Sequence, residues 1–501
     1  MRRLPLLLAA ILLTGCATLS GTVRSYMTTS DGLQIDDHRV RGLLHRGQAD
    51  SALAALLDRR SSLSPDDQLL RLLYQATAAR YAGDAATAGS LFDRAFSLSE
   101  DRFTKSVGRT AAAMLTNDYA LPYTAGRNER LLLHYNAILA WSATGDADAA
   151  AVEARRLVAL LARFGEPDDD ERAARAMLHA VAAATFEQAN DWNDADVARR
   201  NAARLGADVD TAWSAARDST GDLVIVVERG DVAHKVAVGV TLPIYNDDAS
   251  FGNDGTRSAA QRLLADFGTL RNGGIWYDDV PSWRFNDARY GSWRGAQASY
   301  LLDMSWPVLR RARSGTGGRV QVHAAQQMQG ASVSASLSDA LGADYRRDRS
   351  AILSRTVARA VTKYLAARAA EAAVQASKQN DDDDKKNKGK KDKKNGAEVA
   401  GKAAGMVARL VVNAAGVAME RADTRAWALL PGSVSVTRMR LPAGTHELIV
   451  DAAGVHQLNL PGLVVRAGQT TVVSARLWGE LRQGVGQVVE GLAASHATPQ
   501  R

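Results

Sequence analysis

The N-terminal third of the chain is rich in alanine and leucine and is interrupted by four short turns. From about residue 37 to residue 217 the apolar residues recur at spacings of three and four, which predicts amphipathic helices. The turns are centred on Gly47, Gly83, Gly145 and Asn190. Because glycine and asparagine accept tight turns at little steric cost, each turn is expected to join two helices. The pattern therefore predicts a series of helix–turn–helix units.

A small residue lies five positions after each turn residue: Ala52, Ala88, Ala150 and Ala195. A small side chain there lets the two helices of a pair approach closely. The arrangement resembles the tetratricopeptide helix–turn–helix unit, whose repeats have a period of about 34 residues. The turns of this chain are 36, 62 and 45 residues apart, so the array is degenerate or interrupted. A plain helical bundle with alanine-rich contacts remains the alternative.

The first sixteen residues have the features of an export signal. Arg2 and Arg3 precede an apolar run over residues 4–13, which is too short to cross a hydrocarbon core about 30 Å thick. The run ends in the sequence Leu-Thr-Gly-Cys, which resembles a bacterial lipobox and places the cysteine at Cys16. This resemblance implies that residues 1–15 are a lipoprotein signal peptide. It also implies that Cys16 carries a diacylglycerol and an N-acyl chain.

The lipobox resemblance also predicts where the protein lies. Ala17 follows the lipidated cysteine, and by similarity to sorted lipoproteins a residue other than aspartate implies the outer membrane. Residues 16–36 are polar and rich in turn formers, so we expect a tether. Several acyl chains hold a protein firmly to a membrane. We therefore expect a lipid-anchored, periplasm-facing protein that carries no cofactor other than these lipids.

Two groups of polar and aromatic residues lie far apart in the chain. The first group contains Asn117, Asp118, Tyr119, Glu129, Glu153, Arg155 and Arg156. The second group contains Asp423, Arg425 and Trp427. Together they resemble an uncharacterised family of Gram-negative bacterial lipoproteins with tetratricopeptide-like repeats, and the resemblance implies no biochemical role. The charged members of the first group either form a functional ionic cluster or tie helix ends together.

The middle of the chain changes its periodicity from helical to extended. Residues 222–228 form a continuous apolar and β-branched run, which is typical of a strand buried on both faces. Further strands are predicted at residues 236–242, 299–306 and 319–324. We therefore expect a mixed α/β domain over residues 218–348.

A loop at residues 268–295 in this domain is unusually rich in aromatic side chains. Its candidate binding residues are Trp276, Tyr277, Trp283, Tyr290 and Trp293. Aromatic side chains on a polar loop offer a large contact area at little entropic cost, which suits a sugar ring or a peptide. In a periplasmic protein the sugar would belong to peptidoglycan. The alternative is that these rings fasten a long insertion onto the sheet.

The last third of the chain combines helices, a charged segment and strands. Residues 349–422 are predicted to form two helices that flank a disordered linker at 377–395, because its Asp and Lys run offers no apolar side chain to bury. Short strands separated by Pro and Gly turns predict a small β-sandwich over residues 423–481. Residues 482–501 are expected to be a flexible tail.

A search for catalytic and metal sites finds no convincing motif. The nine histidines include no pair at metal-ligand spacing, and no Gly-x-Ser-x-Gly elbow is present. The doublets 247–248 and 278–279 are carboxylate pairs that suit a cation or acid–base chemistry, although aspartate is also a common loop residue. The sequence thus predicts no catalytic residue and no metal site.

These observations predict an α+β multidomain protein. Its parts are an N-terminal tetratricopeptide-like helical array, a central mixed α/β region, a helical hairpin with a disordered charged insert, and a small C-terminal β-sandwich. The net charge of +7 is small for 501 residues and gives no reason to expect nucleic acid. We expect a scaffold or adaptor that binds another envelope protein through a concave helical surface. The alternatives are a peptidoglycan- or glycan-binding module and a carboxylate-dependent hydrolase.

Overall fold

Among the residues that the structure describes, helices predominate in the first part of the chain and most strands lie in the second, which confirms the predicted mixed α+β class. The computed structural model describes residues 26–30, 35–58, 67–105, 121–212, 219–245, 274–277, 298–312, 319–385, 422–452, 456–478 and 486–489. The predicted signal peptide, Cys16 and most of the aromatic loop lie outside these ranges.

The helices of the N-terminal part form four hairpins of two consecutive helices each. They are α1 Ile35–His45, α2 Ala49–Leu57, α3 Gln68–Tyr81, α4 Ala85–Lys105, α5 Arg127–Thr144, α6 Ala147–Phe164, α7 Asp169–Gln188 and α8 Trp192–Arg204. The four predicted turn residues, Gly47, Gly83, Gly145 and Asn190, each have a positive φ between 61° and 82°. Left-handed residues of this kind end helices without steric strain when they are glycine or asparagine.

The alanines predicted to allow close helix packing are all fully buried. Ala52, Ala88, Ala150 and Ala195 each have no exposed surface. The helices of one hairpin therefore approach each other closely, and successive hairpins also pack side by side. We call α3, α5 and α7 the inner helices and α4, α6 and α8 the outer helices.

Twelve strands in the described ranges form three sheets. They are β1 Tyr26–Ser30, β2 Thr220–Asp231, β3 His234–Tyr245, β4 Ala298–Arg310, β5 Val320–Ala324, β6 Gln327–Gly330, β7 Val333–Ser336, β8 Pro431–Pro442, β9 Gly444–Ala452, β10 His456–Val465, β11 Thr470–Leu477 and β12 Gly486–Val489. The strand orders are β1-β3-β4, β10-β9-β5-β6 and β12-β11-β2-β8-β7. Strand β11 pairs with β2 in parallel, and the other described pairs are antiparallel.

The five-stranded sheet is covered on both faces. On β2, Val224 and Val226 belong to the core shared with the helices. The alternate residues Leu223, Ile225 and Val227 belong to a second core, which is shared with the four-stranded sheet. Successive side chains of a strand point to opposite faces, so a strand between two cores must be apolar throughout. The prediction of a fully buried strand at 222–228 is therefore confirmed.

The C-terminal strands are not confined to a sheet of their own. Strands β8 and β11 lie on the two sides of β2, and β9 pairs with β5. The predicted strands between 423 and 481 are thus present, but β8, β9 and β11 each also pair with a strand from the region before residue 337. Strand β12 also pairs with β11, so residues 486–489 are not part of a flexible tail as predicted.

One long helix, α9 Leu337–Lys385, replaces the first predicted helix of the 349–422 region. It begins earlier than predicted, immediately after β7. It also continues to Lys385, so the predicted disordered linker at 377–395 is wrong for residues 377–385. Alanine and arginine favour a helix up to Ala376, and the helix continues from there into the charged run. The predicted second helix lies outside the described residues, and no helix within them is long and apolar enough to span a membrane.

Candidate functional site

The second group of motif residues lies on a segment without regular secondary structure, residues 422–430, which we call the strap. The strap precedes β8 and lies against the inner helices α3 and α5. Its residues Trp427, Ala428, Leu429 and Leu430 are each at most 1% exposed. A segment that lacks a helix or a strand must satisfy its backbone polar groups through other contacts. The strap obtains several of these contacts from side chains of other elements.

Arg425 fixes the N-terminal end of the strap. Its Nη1 donates to Asp67 Oδ1 at 2.6 Å, and Asp67 precedes the first residue of α3. Its Nε and Nη2 donate to the two oxygens of Asp423, each at 2.8 Å. Nη2 also donates to the backbone carbonyl of Leu121 at 2.8 Å. These bonds explain how a guanidinium with a side chain only 2% exposed is stable inside the protein.

Trp427 anchors the strap between the helices. Its indole Nε1 donates to Thr77 Oγ1 at 3.0 Å, and Thr77 is a fully buried residue of α3. The indole ring also lies against Phe92 of α4, with 6.2 Å between the ring centroids. A buried tryptophan contributes a large apolar area, and its N–H needs a partner of this kind. Trp427 is therefore the main apolar contact of the strap.

Side chains of the helices bind the backbone of the strap. The hydroxyl of Tyr74 donates to the carbonyl of Ala426 at 3.1 Å and accepts from the N–H of Ala428 at 3.2 Å. Glu129 Oε1 accepts from the N–H of Trp427 at 3.3 Å. On the other side, Lys235 Nζ donates to the carbonyl of Arg425 at 3.2 Å.

Glu129 connects the two groups of motif residues. Its Oε2 accepts from the N–H of Gly126 at 2.9 Å, which satisfies one free donor at the start of α5. Its Oε1 accepts from the hydroxyl of Tyr123 at 2.6 Å as well as from the strap. Burial and the neighbouring Glu129 carboxylate raise the pKa of Tyr123 well above its usual value, so Tyr123 remains a proton donor. Motif residues Asn117, Asp118 and Tyr119 lie outside the described residues.

The other charged members of the first group separate into two places. His134 Nδ1 and Glu153 Oε2 are 2.7 Å apart and buried, and Arg156 also bonds to Glu153. Arg155 instead donates to Asp191 Oδ2 at 2.6 Å on the surface. These pairs join α6 to α5 and to the turn before α8. They tie helices together, which is the structural one of the two predicted roles.

A buried ion pair that was not predicted from the sequence joins the inner helices to the sheet. Arg80 of α3 donates through Nη2 to Glu228 Oε1 and Oε2 of β2 at 2.9 and 2.8 Å. Tyr135 of α5 also donates to Glu228 Oε1, at 2.9 Å. Arg80 and Glu228 have no exposed surface. The available signal was a glutamate at the end of an apolar strand, since a carboxylate there must find a partner.

A second cluster that the sequence analysis missed lies where the inner helices α5 and α7 begin. Asp344 of α9 accepts from the N–H of Asn128 at 2.7 Å, and the amide of Asn128 donates to Glu171 at 2.6 Å. Arg347 of α9 donates to Asp344 at 3.1 Å and also bonds to Glu171. Burial, together with the nearby carboxylates of Glu129 and Glu171, raises the pKa of Asp344 to about 7, although the N–H of Asn128 and the guanidinium of Arg347 act in the opposite direction.

Two of the five aromatic binding candidates are described, and both have protein partners. The ring of Trp276 lies under the guanidinium of Arg311, 3.9 Å from its centroid, and Tyr277 lies under Arg310 at 4.3 Å. Trp276 is half-buried and packs against the small core of Ile275, Leu309 and Tyr345. These contacts match the alternative role in which the rings fasten the insertion to the sheet. Trp283, Tyr290 and Trp293 lie outside the described residues, as do both aspartate doublets.

Among the described residues, buried charge pairs connect the inner helix α3 to the five-stranded sheet and to the strap. Within the ranges that the structure describes, no group of three or more His, Cys, Asp or Glu side chains is placed to hold a metal ion. Arg80, Glu228, Arg425 and Asp67 are nearly inaccessible to solvent, and each is paired. The arrangement joins helices, sheet and strap into one packed body.

Comparison with known protein families, with characterised proteins and with solved structures finds no match to this chain.

Proposed function

We propose that this protein is a lipid-anchored lipoprotein of the outer membrane that faces the periplasm and acts as a scaffold for another envelope protein. The observation that carries the proposal is the row of four helix hairpins, each with a left-handed turn residue and a buried alanine five positions later. Stacked helix hairpins of this kind present extended surfaces on which other proteins bind. The spacing of the turns and the buried alanines support a degenerate tetratricopeptide-like array.

The shared core of two sheets supports a β-sandwich for the C-terminal part. Residues of β2, β8 and β11 face those of β5, β9 and β10 across one apolar core. In this proposal the sandwich includes β2 and β5 and is therefore larger than residues 423–481. Its role is to hold the inner helices in a fixed arrangement from one side.

The outer helices carry the surface that remains for a partner. The strap, the five-stranded sheet and α9 contact the inner helices, so we propose that the partner binds elsewhere than at the expected concave inner surface. On the outer helices, Val152 of α6 is 44% exposed and Val197 of α8 is 40% exposed. The exposed Arg155 lies near them and pairs with Asp191. We therefore assign the partner-binding surface to α6 and α8.

The lipid anchor gives this surface its location. Acyl chains on Cys16 would restrict the protein to the membrane surface and raise its local concentration near membrane partners. Replacement Cys16→Ser is expected to leave the protein unlipidated and to release it into the soluble periplasmic fraction. Continued attachment of the Cys16→Ser variant to the membrane would contradict the anchor.

The scaffold proposal is tested by affinity capture from solubilised envelopes. The wild-type protein should recover a discrete envelope protein, and the double variant Val152→Asp, Val197→Asp should lose it. The matched control is Met328→Asp, which changes an equally apolar residue that is 58% exposed on β6, far from the hairpins in the chain. Capture that is lost equally in the control, or that survives the double variant, would contradict the assignment to α6 and α8.

A further inference from the structure

The contacts of the strap have the character of a peptide held by a receptor. Its residues 422–427 adopt neither helix nor strand. The helices bind it through side chains that contact its backbone and through pockets for two of its side chains. Proteins that bind extended peptides use the same two kinds of contact. Hydrogen bonds to the main chain hold the peptide, and pockets for its side chains determine which peptide binds.

The backbone contacts do not depend on the sequence of the strap. Tyr74 contacts one carbonyl and one N–H of the strap through a single hydroxyl, and Glu129 accepts the N–H between them in the chain. Both side chains belong to inner helices. Their hydroxyl and carboxylate groups would serve any extended peptide that follows the same path.

Selection comes from Arg425 and Trp427. Arg425 reaches Asp67, which has 1% of its surface exposed and lies at the start of α3. Trp427 reaches Thr77 of α3 and Phe92 of α4. Tryptophan and arginine are the residues that most often carry the binding energy of an interface. The two anchors are separated by one residue, so they define a short Arg-x-Trp pattern.

We propose that Asp67, Tyr74, Thr77 and Glu129 form a receptor site for an extended Arg-x-Trp peptide, and that the strap is its built-in ligand. This inference goes beyond the proposed scaffold function, because it assigns a ligand class to the inner helices. It is independent of the outer surface at α6 and α8. Failure of the peptide assay below would leave the capture experiment unaffected, so the two proposals can fail separately.

The test uses the full chain, purified in detergent, and a labelled synthetic peptide of residues 422–430. In the variant Arg425→Ala, Trp427→Ala the strap loses both anchors while the receptor residues stay unchanged. Fluorescence anisotropy should show that this variant binds the peptide at least about tenfold more tightly than the wild type, whose site is occupied. A peptide with Trp427→Ala should bind the variant about tenfold more weakly than the unchanged peptide.

Two further variants, each made in the Arg425→Ala, Trp427→Ala protein, distinguish recognition of the peptide from general effects on the fold. Tyr74→Phe removes the hydroxyl that contacts the backbone of the strap and should weaken peptide binding severalfold. Tyr81→Phe changes another buried tyrosine of α3 that contributes no described contact to the strap, and it should leave the affinity unchanged. Equal losses in both would overturn the assignment of Tyr74.

Two results would overturn the inference. The first is a double variant that melts cooperatively but does not bind the peptide. The second is equal affinity for the unchanged peptide and the Trp427→Ala peptide. If the double variant does not melt cooperatively, the single variant Trp427→Phe replaces it, since it keeps an aromatic ring and loses only the bond to Thr77 and part of the contact area. It should bind the peptide about threefold better than the wild type, and no increase would equally overturn the inference.

Discussion

The inner and outer helices belong to the same hairpins but have opposite surroundings. On α5, fourteen residues of eighteen are buried, including Arg130, His134 and Asn136. On α6, the buried residues keep to one side, and Val152 and Arg155 are exposed. A helix that is buried on all sides has no polar face. On a helix at the surface, by contrast, apolar residues recur with a period of 3.6 residues and polar residues occupy the opposite face. The inner helix α5 is therefore packed into the fold on all sides, whereas the outer helix α6 keeps an exposed face.

The outer helices also differ from the inner helix α5 in how they begin. Each outer helix is capped by the aspartate that follows its turn residue: Asp84 Oδ1 accepts from Thr87, Asp146 Oδ1 from Ala149, and Asp191 Oδ1 from Asp194. The inner helix α5 is capped in part by Asp344, which belongs to α9. Local capping is encoded within one hairpin, and capping from α9 forms only when the whole chain is folded.

The largest expected difference between inner and outer helices is in the stability lost when one arginine of each is replaced by alanine. Arg80→Ala leaves Glu228 buried without its cation and should lower the free energy of unfolding by about 3–5 kcal/mol. Arg155→Ala removes an exposed pair with Asp191 and should lower it by less than about 1 kcal/mol. Urea denaturation followed by circular dichroism measures both values. Similar losses in the two variants would break the distinction between inner and outer helices.

The pH dependence of stability should follow the ionisation of Asp344, whose carboxylate lies at the start of the inner helix α5. Burial raises the pKa of Asp344 to about 7 in the folded protein, above the value near 3.9 of an unfolded aspartate. The folded state therefore binds more protons between these values. Stability from this group is present at acidic pH and is lost as the pH rises towards 7, a change of about 2–3 kcal/mol between pH 5 and pH 8.

Two variants isolate the contribution of Asp344. Asp344→Asn imitates the protonated carboxyl and should remove this part of the pH dependence in thermal melts between pH 5 and pH 8. Asp191→Asn changes an outer cap whose pKa is lowered by the hydrogen bond from Arg155, so it stays ionised throughout this range. It should therefore keep the wild-type pH profile. An unchanged profile in Asp344→Asn would contradict the assignment.

A smaller effect is expected where an inner helix touches an outer helix. A Cβ atom added to Gly89 of α4 would lie 2.6 Å from the ring of Trp141 of α5. Forcing this overlap costs about 1–3 kcal/mol, whereas alanine gains about 1 kcal/mol over glycine in a helix. Gly89→Ala should thus lower the free energy of unfolding by up to about 2 kcal/mol. Ser90→Ala, at the exposed neighbouring position, should be neutral or slightly stabilising; a stabilising Gly89→Ala would show that the helices are further apart.

The smallest predicted effect concerns an outer cap. Asp146→Ala removes the carboxylate that accepts from Ala149 at 2.9 Å and should lower the free energy of unfolding by about 1 kcal/mol. Asp148→Ala is the control, because Asp148 lies in the first turn of the same helix but does not cap it. Equal losses in the two variants would show that general charge, and not the cap, stabilises α6.

Local features of the fold were predictable from the sequence, and long-range ones were not. The four turns and the buried strand at 222–228 each depend on a few neighbouring residues. The neighbours of β2 are β8 and β11, which lie more than 200 residues later in the chain. Arg80 and Glu228 are 148 residues apart, so no spacing rule links them.

The candidate site shows the same limit. The residue types of the strap, with Asp423, Arg425 and Trp427, stood out in the sequence. Their position against Tyr74 and Glu129 did not, because an irregular segment carries no periodic pattern that indicates its neighbours. Glu129 was selected as a motif residue, but its contact with the N–H of Trp427 required the structure.

Site-specific photo-crosslinking in intact cells tests most directly the claim that the outer helices bind a partner while the inner helices serve the fold. A photoreactive residue is placed at position 152 or 197 on the outer helices, or at position 328 on β6 as the exposed control. We expect adducts of the same envelope protein from positions 152 and 197 and none from position 328. Adducts from position 328 alone, or no adducts from either outer helix, would contradict it.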